Sequence, residues 1–322
     1  MKIDIHGHFV TRAYYDELET LPGVRYERRS SGLGYLIKEG RNWLPVRESM
    51  FDPDDQLRDM DRKGIDMRIL SLSTPSVYLF DDATQREAAC RDNNDAIIAR
   101  VAADPSRFRA FITLPLPDVE ASLRELDRVI GAPGVVGITV GSNLGGMKLN
   151  DLSLEPLWAR LDRDRIPVFE HPMDPVFGNV MDEFAMHIRV GFLFDTSLAV
   201  TRMIYGGVFE RYPNFPFIVA HTGAAFLDLL ERLDNGYRHY VDCQQHISRL
   251  PSEFAKQFYY DSCAFFTPTI MMARAAVGVE RLLFGTDYPF IDQGPDHVER
   301  LPIDDAEKKL IFSGNATRLL KL

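Results

Sequence analysis

The sequence is poor in cysteine, in long apolar runs and in excess positive charge. Its 322 residues contain three cysteines, Cys90, Cys243 and Cys263, which lie far apart without CxxC spacing and therefore give no support for a disulfide framework or a thiolate metal site. No stretch reaches the roughly 18 uncharged apolar residues of a membrane span, and the start MKIDIHGHF interrupts any signal-peptide core. We therefore expect a cytoplasmic protein without a membrane partner.

The charge balance is acidic, with 37 Lys and Arg scattered among 47 Asp and Glu and a net charge of −10. Phosphate backbones are bound by clustered Lys and Arg, so a nucleic-acid partner is not expected and a small-molecule substrate is. With 45% hydrophobic residues the chain can bury a large core, and its length fits either one large barrel or two ordinary domains.

Eight short β-rich runs alternate with amphipathic, helix-like segments. The runs span residues 2–9, 67–73, 108–115, 135–142, 167–172, 215–223, 258–265 and 281–289. Most are continuously apolar rather than alternating, which is typical of parallel strands covered on both faces. The alternation indicates βα units, and eight such units predict an α/β fold of the (β/α)8 TIM-barrel type, with residues 1–322 forming a single domain.

The segments between the runs carry boundary signals. Asp54 leads a predicted helix that ends at Gly64, and Asp118 leads one that ends at Gly131. Residues 10–52 form an unusually long insertion between the first strand and its helix. Because such loops follow the carboxyl ends of barrel strands, we interpret the insertion as a lid or small lobe over the active site; a solvent-exposed excursion is the alternative.

Histidine and aspartate residues end several of the predicted strands. His6 and His8 are one residue apart, so the two-residue period of a strand puts both side chains on the same, inward face. His171, His221 and Asp287 close the fifth, sixth and eighth runs. Because the carboxyl ends of barrel strands meet at one mouth, these side chains are expected to be neighbours.

Each of these residues also has an ordinary explanation. The His6 and His8 pair can be polar loop residues, His171 can be a strand-end histidine capped by backbone, and Asp287 can cap a turn. The other four histidines lie in loop-like or helical segments, so coincidence is the weaker explanation for all five strand ends. Three imidazoles and a carboxylate suit one first-row divalent cation, with zinc favoured and manganese or iron as alternatives.

Seven segments resemble the decarboxylase branch of the amidohydrolase superfamily (amidohydrolase 2), whose best-known member acts on 2-amino-3-carboxymuconate 6-semialdehyde. In matching order from residue 2 to the C-terminus they are IDIHGHF, GITVGSNLGG, FEHPMD, VAHTGAAF, LERLDNGYRH, LLFGTDYPF and IFSGNATRLL. The resemblance implies a barrel with one metal ion, usually zinc, bound by His6, His8, His171 and Asp287. It also implies that His221 is the catalytic acid/base beside Asp287.

The activity implied by the resemblance is carbon–carbon lysis, the release of carbon dioxide from a small unsaturated or aromatic carboxylic acid. A hydrolase that cleaves an amide, a lactone or a carbon–carbon bond is the alternative, together with a hydratase, because the same site can activate water. A non-catalytic binding protein is disfavoured, since a complete ligand set with an acid/base has no use in a scaffold.

Substrate contacts are suggested mainly by the resemblance. It implies that Arg232 reaches into a neighbouring subunit's site, and so a homodimer or higher homo-oligomer, although without the resemblance a solvated helix charge is the preferred explanation. The family's substrate-binding arginine is replaced by Leu44 here, and Arg47, three residues on, either substitutes for it or lies on the surface.

Three further residues are candidates for the substrate pocket. Met173 stands where the family has a tryptophan, which makes it a specificity position. Trp43 and Phe290 are candidates for lining a pocket for a flat substrate, although aromatic residues at such spacings are more often ordinary core.

Overall fold

The computed structural model describes residues 1–29 and 33–322. In these residues the strands are, in chain order, β1 (Ile3–His8), β2 (Val24–Glu27), β3 (Leu33–Lys38), β4 (Arg41–Arg47), β5 (Met67–Ser71), β6 (Phe108–Ile112), β7 (Val135–Gly141), β8 (Asn143–Leu144), β9 (Met147–Lys148), β10 (Val168–His171), β11 (Phe217–Val219), β12 (Tyr259–Asp261) and β13 (Leu282–Leu283). Eight of them form one sheet in the order β1-β5-β6-β7-β10-β11-β12-β13, with parallel pairing at each step.

The helices surround this sheet. They are α1 (Arg12–Leu18), α2 (Pro53–Lys63), α3 (Ala83–Ala103), α4 (Val119–Val129), α5 (Glu155–Asp164), α6 (Phe192–Tyr205), α7 (Val208–Arg211), α8 (Leu230–His239), α9 (Pro251–Ala255), α10 (Thr267–Val277), α11 (Asp296–Glu299), α12 (Asp305–Lys309) and α13 (Asn315–Leu320). Along the described chain, no helix is long and apolar enough to cross a membrane.

Backbone hydrogen bonds join the two ends of the sheet into a barrel. The Ile5 amide donates to the Phe284 carbonyl at 2.9 Å, and the His8 amide donates to the Tyr288 carbonyl at 2.8 Å. These bonds connect β1 to the chain that follows β13, as strand pairing would. The predicted (β/α)8 barrel is therefore confirmed.

The core has two layers, as expected for a barrel covered by helices. The inner layer is filled by strand side chains such as Ile5, Ile69, Phe111 and Phe169, and α13 closes its amino-terminal end with Leu319 and other apolar residues. A larger layer packs between the strands and the surrounding helices. The amino-terminal end of the barrel is thus apolar and filled, which leaves the opposite end for polar groups.

Helix boundaries follow the capping residues closely. Asp118 caps α4 by accepting from the Ala121 amide, as predicted. The predicted cap Asp54 is wrong, because α2 begins at Pro53 and its cap is Asp52. Proline suits the first helical position, since its fixed φ is helical and its missing N–H has no intrahelical partner there.

The stretch between β1 and α2 contains α1 and an antiparallel sheet in the order β2-β3-β4. We call this three-stranded sheet the lobe. Its strand β4 lies beside the mouth of the barrel, where Trp43 and Leu44 line a cavity.

Strand β1 contains a bulge that orients its histidines. In its middle it has one residue more than β5, its partner. Ile5 packs in the inner core, and the His6 ring contacts the inner-core residue Phe169 with centroids 5.0 Å apart. Gly7 faces outward, where a Cβ would lie 2.5 Å from Arg68 Cδ. Because of the bulge, Ile5 and His6 both face the barrel interior although they are adjacent in the sequence.

Candidate metal centre and substrate cavity

The structure brings all five strand-end residues together. His6 Nε2 and His8 Nε2 are 3.1 Å apart, and each lies 3.4 Å from Asp287 Oδ1. The ring centroid of His171, at the end of β10, is 4.7 Å from that of His8 and 5.1 Å from that of His6. His221, which follows β11, places Nε2 3.6 Å from Asp287 Oδ2.

Three of the imidazoles place Nδ1 against a protein oxygen. For His6, His171 and His8 the partners are, respectively, Asp261 Oδ2 at 2.6 Å, the Pro172 carbonyl at 3.0 Å and Ser71 Oγ at 3.2 Å. Carboxylates and carbonyls only accept, so His6 and His171 donate from Nδ1 and keep a lone pair on Nε2.

This arrangement fits a divalent cation. One nitrogen or oxygen from each of His6, His171, His221 and Asp287 lies within 4.8 Å of the others, and His8 adjoins this group. A nitrogen lone pair that faces another ring nitrogen at 3.1 Å needs a proton or a cation between them. Imidazole nitrogens and one carboxylate oxygen are suitable first-row metal ligands.

The residues of the cluster shift one another's pKa values. Burial alone would raise the pKa of Asp287, but the surrounding His6, His221 and His8 outweigh it and hold that pKa well below its usual range. Burial lowers the pKa of His8, and burial together with the neighbouring imidazoles lowers that of His171 further, so both favour the neutral form that binds metals.

His221 behaves differently from the other histidines. Burial opposes its protonation, yet the hydrogen bond and the charge of Asp287 raise the pKa of His221 above its ordinary value. Its Nδ1 is buried and has no hydrogen-bond partner among the described residues. The direction of this pKa shift is that required of a general acid, although a protonated imidazole would leave its buried Nδ1–H without an acceptor among the described residues.

Asp261, at the end of β12, is a site residue that sequence inspection did not single out. Besides His6, its carboxylate accepts from the backbone amides of His221 at 3.0 Å and Thr222 at 2.9 Å. His221 and Thr222 have positive φ values of 54° and 57°, and Asp287 has 55°. Such backbone strain costs of order 1–3 kcal/mol per residue and concentrates at functional sites. Asp261 therefore holds both a cluster histidine and the strained turn.

A cavity of about 620 Å³ opens above the cluster. His171, His221 and Asp287 lie at its deep end, and we call these residues, together with the adjoining His6 and His8, the floor. Its walls are mostly apolar, and they include Trp43, Leu44, Ile188, Phe192, Phe265 and Phe290. Three arginines with exposed side chains line its outer edge, which we call the rim: Arg41, Arg47 and Arg189.

Of the five predicted substrate contacts, three line the cavity and two do not. Trp43, Arg47 and Phe290 line the cavity. Met173 is buried, and its amide donates to Ser142 Oγ at 2.9 Å; it is not among the residues that line this cavity. Arg232 is exposed on α8 and does not line it either.

A second residue that sequence inspection missed is His187. It is buried, and its Nε2 donates to the Trp43 carbonyl at 2.7 Å, which ties the segment before α6 to β4 of the lobe. The partner lies 144 residues earlier in the chain and uses only its backbone, so no sequence pattern marks the contact.

A parallel barrel with imidazoles and a carboxylate at its strand ends defines the class of metal-dependent barrel enzymes. Residues 3–322 match the Amidohydrolase family, and the chain belongs to that family. The family membership predicted from the sequence is thus confirmed.

Two relatives span nearly the whole chain. The 2-amino-3-carboxymuconate-6-semialdehyde decarboxylase of Dictyostelium discoideum is 28% identical over 331 residues, covering 100% of this chain and 92% of that protein. The gamma-resorcylate decarboxylase of a Polaromonas species is 30% identical over 302 residues, covering 88% of this chain and 91% of that protein.

A solved structure agrees in fold. The dihydroxybenzoic acid decarboxylase of a Polaromonas species, crystallised with bound manganese and the inhibitor 2-nitroresorcinol, superposes with a TM-score of 0.85 at 28% identity. The match covers 100% of this chain and 97% of the other.

Proposed function

We propose that the chain is a metal-dependent decarboxylase of a small unsaturated or aromatic carboxylic acid. The observation that carries this conclusion is the floor of the cavity, where imidazoles with their lone pairs on Nε2 surround Asp287 and adjoin a histidine that favours protonation. The two relatives are decarboxylases of acids of this type, which supports the same conclusion.

His6, His8, His171 and Asp287 would hold one divalent cation. When bound, such a cation polarises oxygen atoms of the substrate and stabilises negative charge that develops during the reaction. We propose zinc, which imidazole-rich sites favour; manganese, found in the related dihydroxybenzoic acid decarboxylase, and iron are the alternatives. Metal analysis of the purified protein distinguishes the three.

His221 would move the proton. Decarboxylation replaces a carboxylate on carbon by hydrogen, so one proton must arrive as carbon dioxide leaves. The electron pair of the broken carbon–carbon bond forms the new C–H bond with a proton from His221 Nε2, and solvent then reprotonates the imidazole. Asp287 stabilises the charged imidazole before it gives up the proton and again after solvent has returned one, since its Oδ2 lies 3.6 Å from that nitrogen.

Arg47, Trp43 and Phe290 are the proposed substrate contacts. Arg47 lines the cavity without an acidic partner within 4 Å in the described chain, so its guanidinium is available to a carboxylate. Trp43 and Phe290 supply flat apolar surface for an unsaturated or aromatic ring. Met173 would act indirectly, by packing against Gly141 behind the wall.

The proposed oligomeric state depends on one residue, Arg232. Arg232 is exposed on α8 and can therefore reach another copy of the chain, so we propose a homodimer in which it enters the partner's cavity. Sedimentation that finds only monomers at micromolar concentration would contradict this. The cytoplasmic location and the lack of nucleic-acid and membrane partners stay predictions.

The test of the function is carbon dioxide release by purified, zinc-loaded protein from amino-carboxymuconate semialdehyde and a panel of hydroxybenzoates. Release from at least one acid, abolished by a chelator, is the expected result. Incorporation of solvent oxygen into a product without carbon dioxide would instead assign the hydrolase or hydratase alternative.

A further inference from the structure

The rim of the cavity carries positive charge that the protein does not neutralise. Arg41 is paired, with Glu39 Oε2 at 3.3 Å and Asp182 Oδ2 at 3.9 Å. In residues 1–29 and 33–322, no carboxylate lies within 4 Å of the guanidinium of Arg189 or of Arg47, and the Arg47 guanidinium donates to the Pro289 carbonyl at 3.1 Å. Both guanidinium groups line the same cavity as the histidine and aspartate cluster, so both are available to an anionic group of a bound molecule.

The backbone that carries Arg189 is held in place. His187–Gly191 forms a wide π-helical turn ahead of α6, a type of turn frequent at functional sites. The Arg189 amide donates to the Ala185 carbonyl at 3.0 Å, and the buried His187 anchors the turn to the Trp43 carbonyl at 2.7 Å. Arg189 is therefore presented from a fixed turn rather than from a free loop.

The volume of the cavity is larger than its floor chemistry requires. Its volume of about 620 Å³ lies in the range of roughly 300–1,000 Å³ that accommodates drug-sized ligands, whereas a single-ring hydroxy acid fills only part of it. Leu44, Ile188 and Phe192 line the same cavity as the cluster and Arg189, so the cavity combines apolar surface with both polar groups. This combination of a cation-binding floor, apolar wall and cationic rim suits a ring system that carries two carboxylates.

Building on the proposed function, we propose that Arg189 binds a second carboxylate of the substrate, so that the substrate is an unsaturated or aromatic diacid. One carboxylate is lost at the floor, and the other stays in the product. Guanidinium groups bind carboxylates through two parallel hydrogen bonds, which gives this contact both strength and orientation. Arg189 would thus be a specificity residue that does not take part in the bond cleavage.

The test is equilibrium binding of unreactive acids to the metal-loaded full-length protein by calorimetry. Benzoate is compared with diacids of increasing reach: isophthalate, terephthalate and biphenyl-4,4′-dicarboxylate. In the wild type at least one diacid is expected to bind about tenfold or more tightly than benzoate, as a charge-assisted hydrogen-bonded pair would give. Arg189→Gln should remove this preference, and Arg189→Lys should restore part of it.

Arg91→Gln is the matched control, because Arg91 is exposed on α3 and, like Arg189, has no carboxylate within 4 Å in the described residues, but it does not line the cavity. It should retain the preference for diacids. An unchanged preference in Arg189→Gln, or equal binding of benzoate and all diacids by the wild type, would overturn the proposal. Tighter binding of the matching sulfobenzoate than of the diacid would also overturn it, in favour of another anionic group.

This binding readout is independent of turnover. If no acid releases carbon dioxide but the diacid preference depends on Arg189, the proposed function fails and the binding site stands. For a diacid that does react, Arg189→Gln should raise KM about tenfold and leave kcat within about twofold. A fall in kcat at unchanged KM would contradict a role in binding alone.

Discussion

The floor and the rim of the cavity are built in opposite ways. Floor residues sit at the ends of barrel strands, are largely buried, and have side chains fixed by hydrogen bonds such as that from His6 to Asp261. Rim arginines come from the lobe and from the turn before α6, and their side chains are exposed. With the roles proposed above, a rigid scaffold carries the chemistry while added segments carry selectivity, and such a division would let one family serve different acids.

The largest effect is expected from removing the cation that the floor is proposed to hold. Chelation should abolish carbon dioxide release, and added zinc or manganese should restore it. It should also lower the Tm, because binding to the folded state alone stabilises it by about 4 kcal/mol at a thousandfold excess over Kd. Full activity of the chelated, metal-free protein would contradict the proposed cation at the floor, and with it the proposed division of roles between floor and rim.

Changing the proposed acid should come next. His221→Asn should lower kcat by about 10²–10⁴-fold, the usual contribution of a positioned acid or base, with metal content and KM little changed. His239→Asn, on the exposed end of α8, is the matched control and should keep wild-type kcat. Wild-type turnover by the His221 variant would remove this residue from the mechanism.

Asp261 lies one layer beneath the floor and should show an intermediate effect. Asp261→Asn weakens the acceptor of the His6 Nδ1 proton, so metal affinity should fall about 10- to 100-fold. Competitive titration with a chromophoric chelator measures this directly. If affinity is unchanged and only the Tm falls, Asp261 supports the strained turn at His221 but not the cluster.

Rim changes should alter binding rather than turnover. Arg47→Gln should raise KM for the substrate about tenfold and leave kcat within about twofold, since the guanidinium contacts the acid but not the reacting bond. Steady-state kinetics with the acid identified by carbon dioxide release provides the measurement. A kcat defect as large as that of His221→Asn would mean that the rim takes part in the chemistry.

The smallest catalytic effect is expected outside the cavity, at Asp59 on α2. Burial would raise the pKa of Asp59, but Arg68 and Lys63, both at 2.8 Å, outweigh it and lower that pKa. Asp59→Asn should therefore cost about 2 kcal/mol at neutral pH. A carboxyl whose pKa is lowered by folding stabilises the protein above its unfolded pKa of about 3.9 and loses that contribution as pH falls further. The Tm difference between wild type and variant should accordingly shrink below about pH 4.

The barrel and the five strand-end residues were predictable because they depend on local patterns. Continuous apolar runs mark parallel strands, and a parallel barrel brings their carboxyl ends to one mouth whatever lies between them. The metal and catalytic roles assigned to those residues stay predictions. Long-range contacts were not predictable: Asp261 meets His6 across 255 residues, and His187 meets the Trp43 backbone across 144. The helix α2 is capped by Asp52 rather than by the predicted Asp54, because Pro53 occupies the first helical position.

The closure of the barrel has a consequence for how the protein is made. His6 and Asp287 are 3.4 Å apart in space, and the Asp287 amide donates to the His6 carbonyl at 2.9 Å. During synthesis, β1 therefore lacks its final neighbour, the chain that follows β13, until nearly the whole protein has been translated. The proposed metal site is thus incomplete until Asp287 has been translated, so loading of the proposed cation would follow translation rather than accompany it.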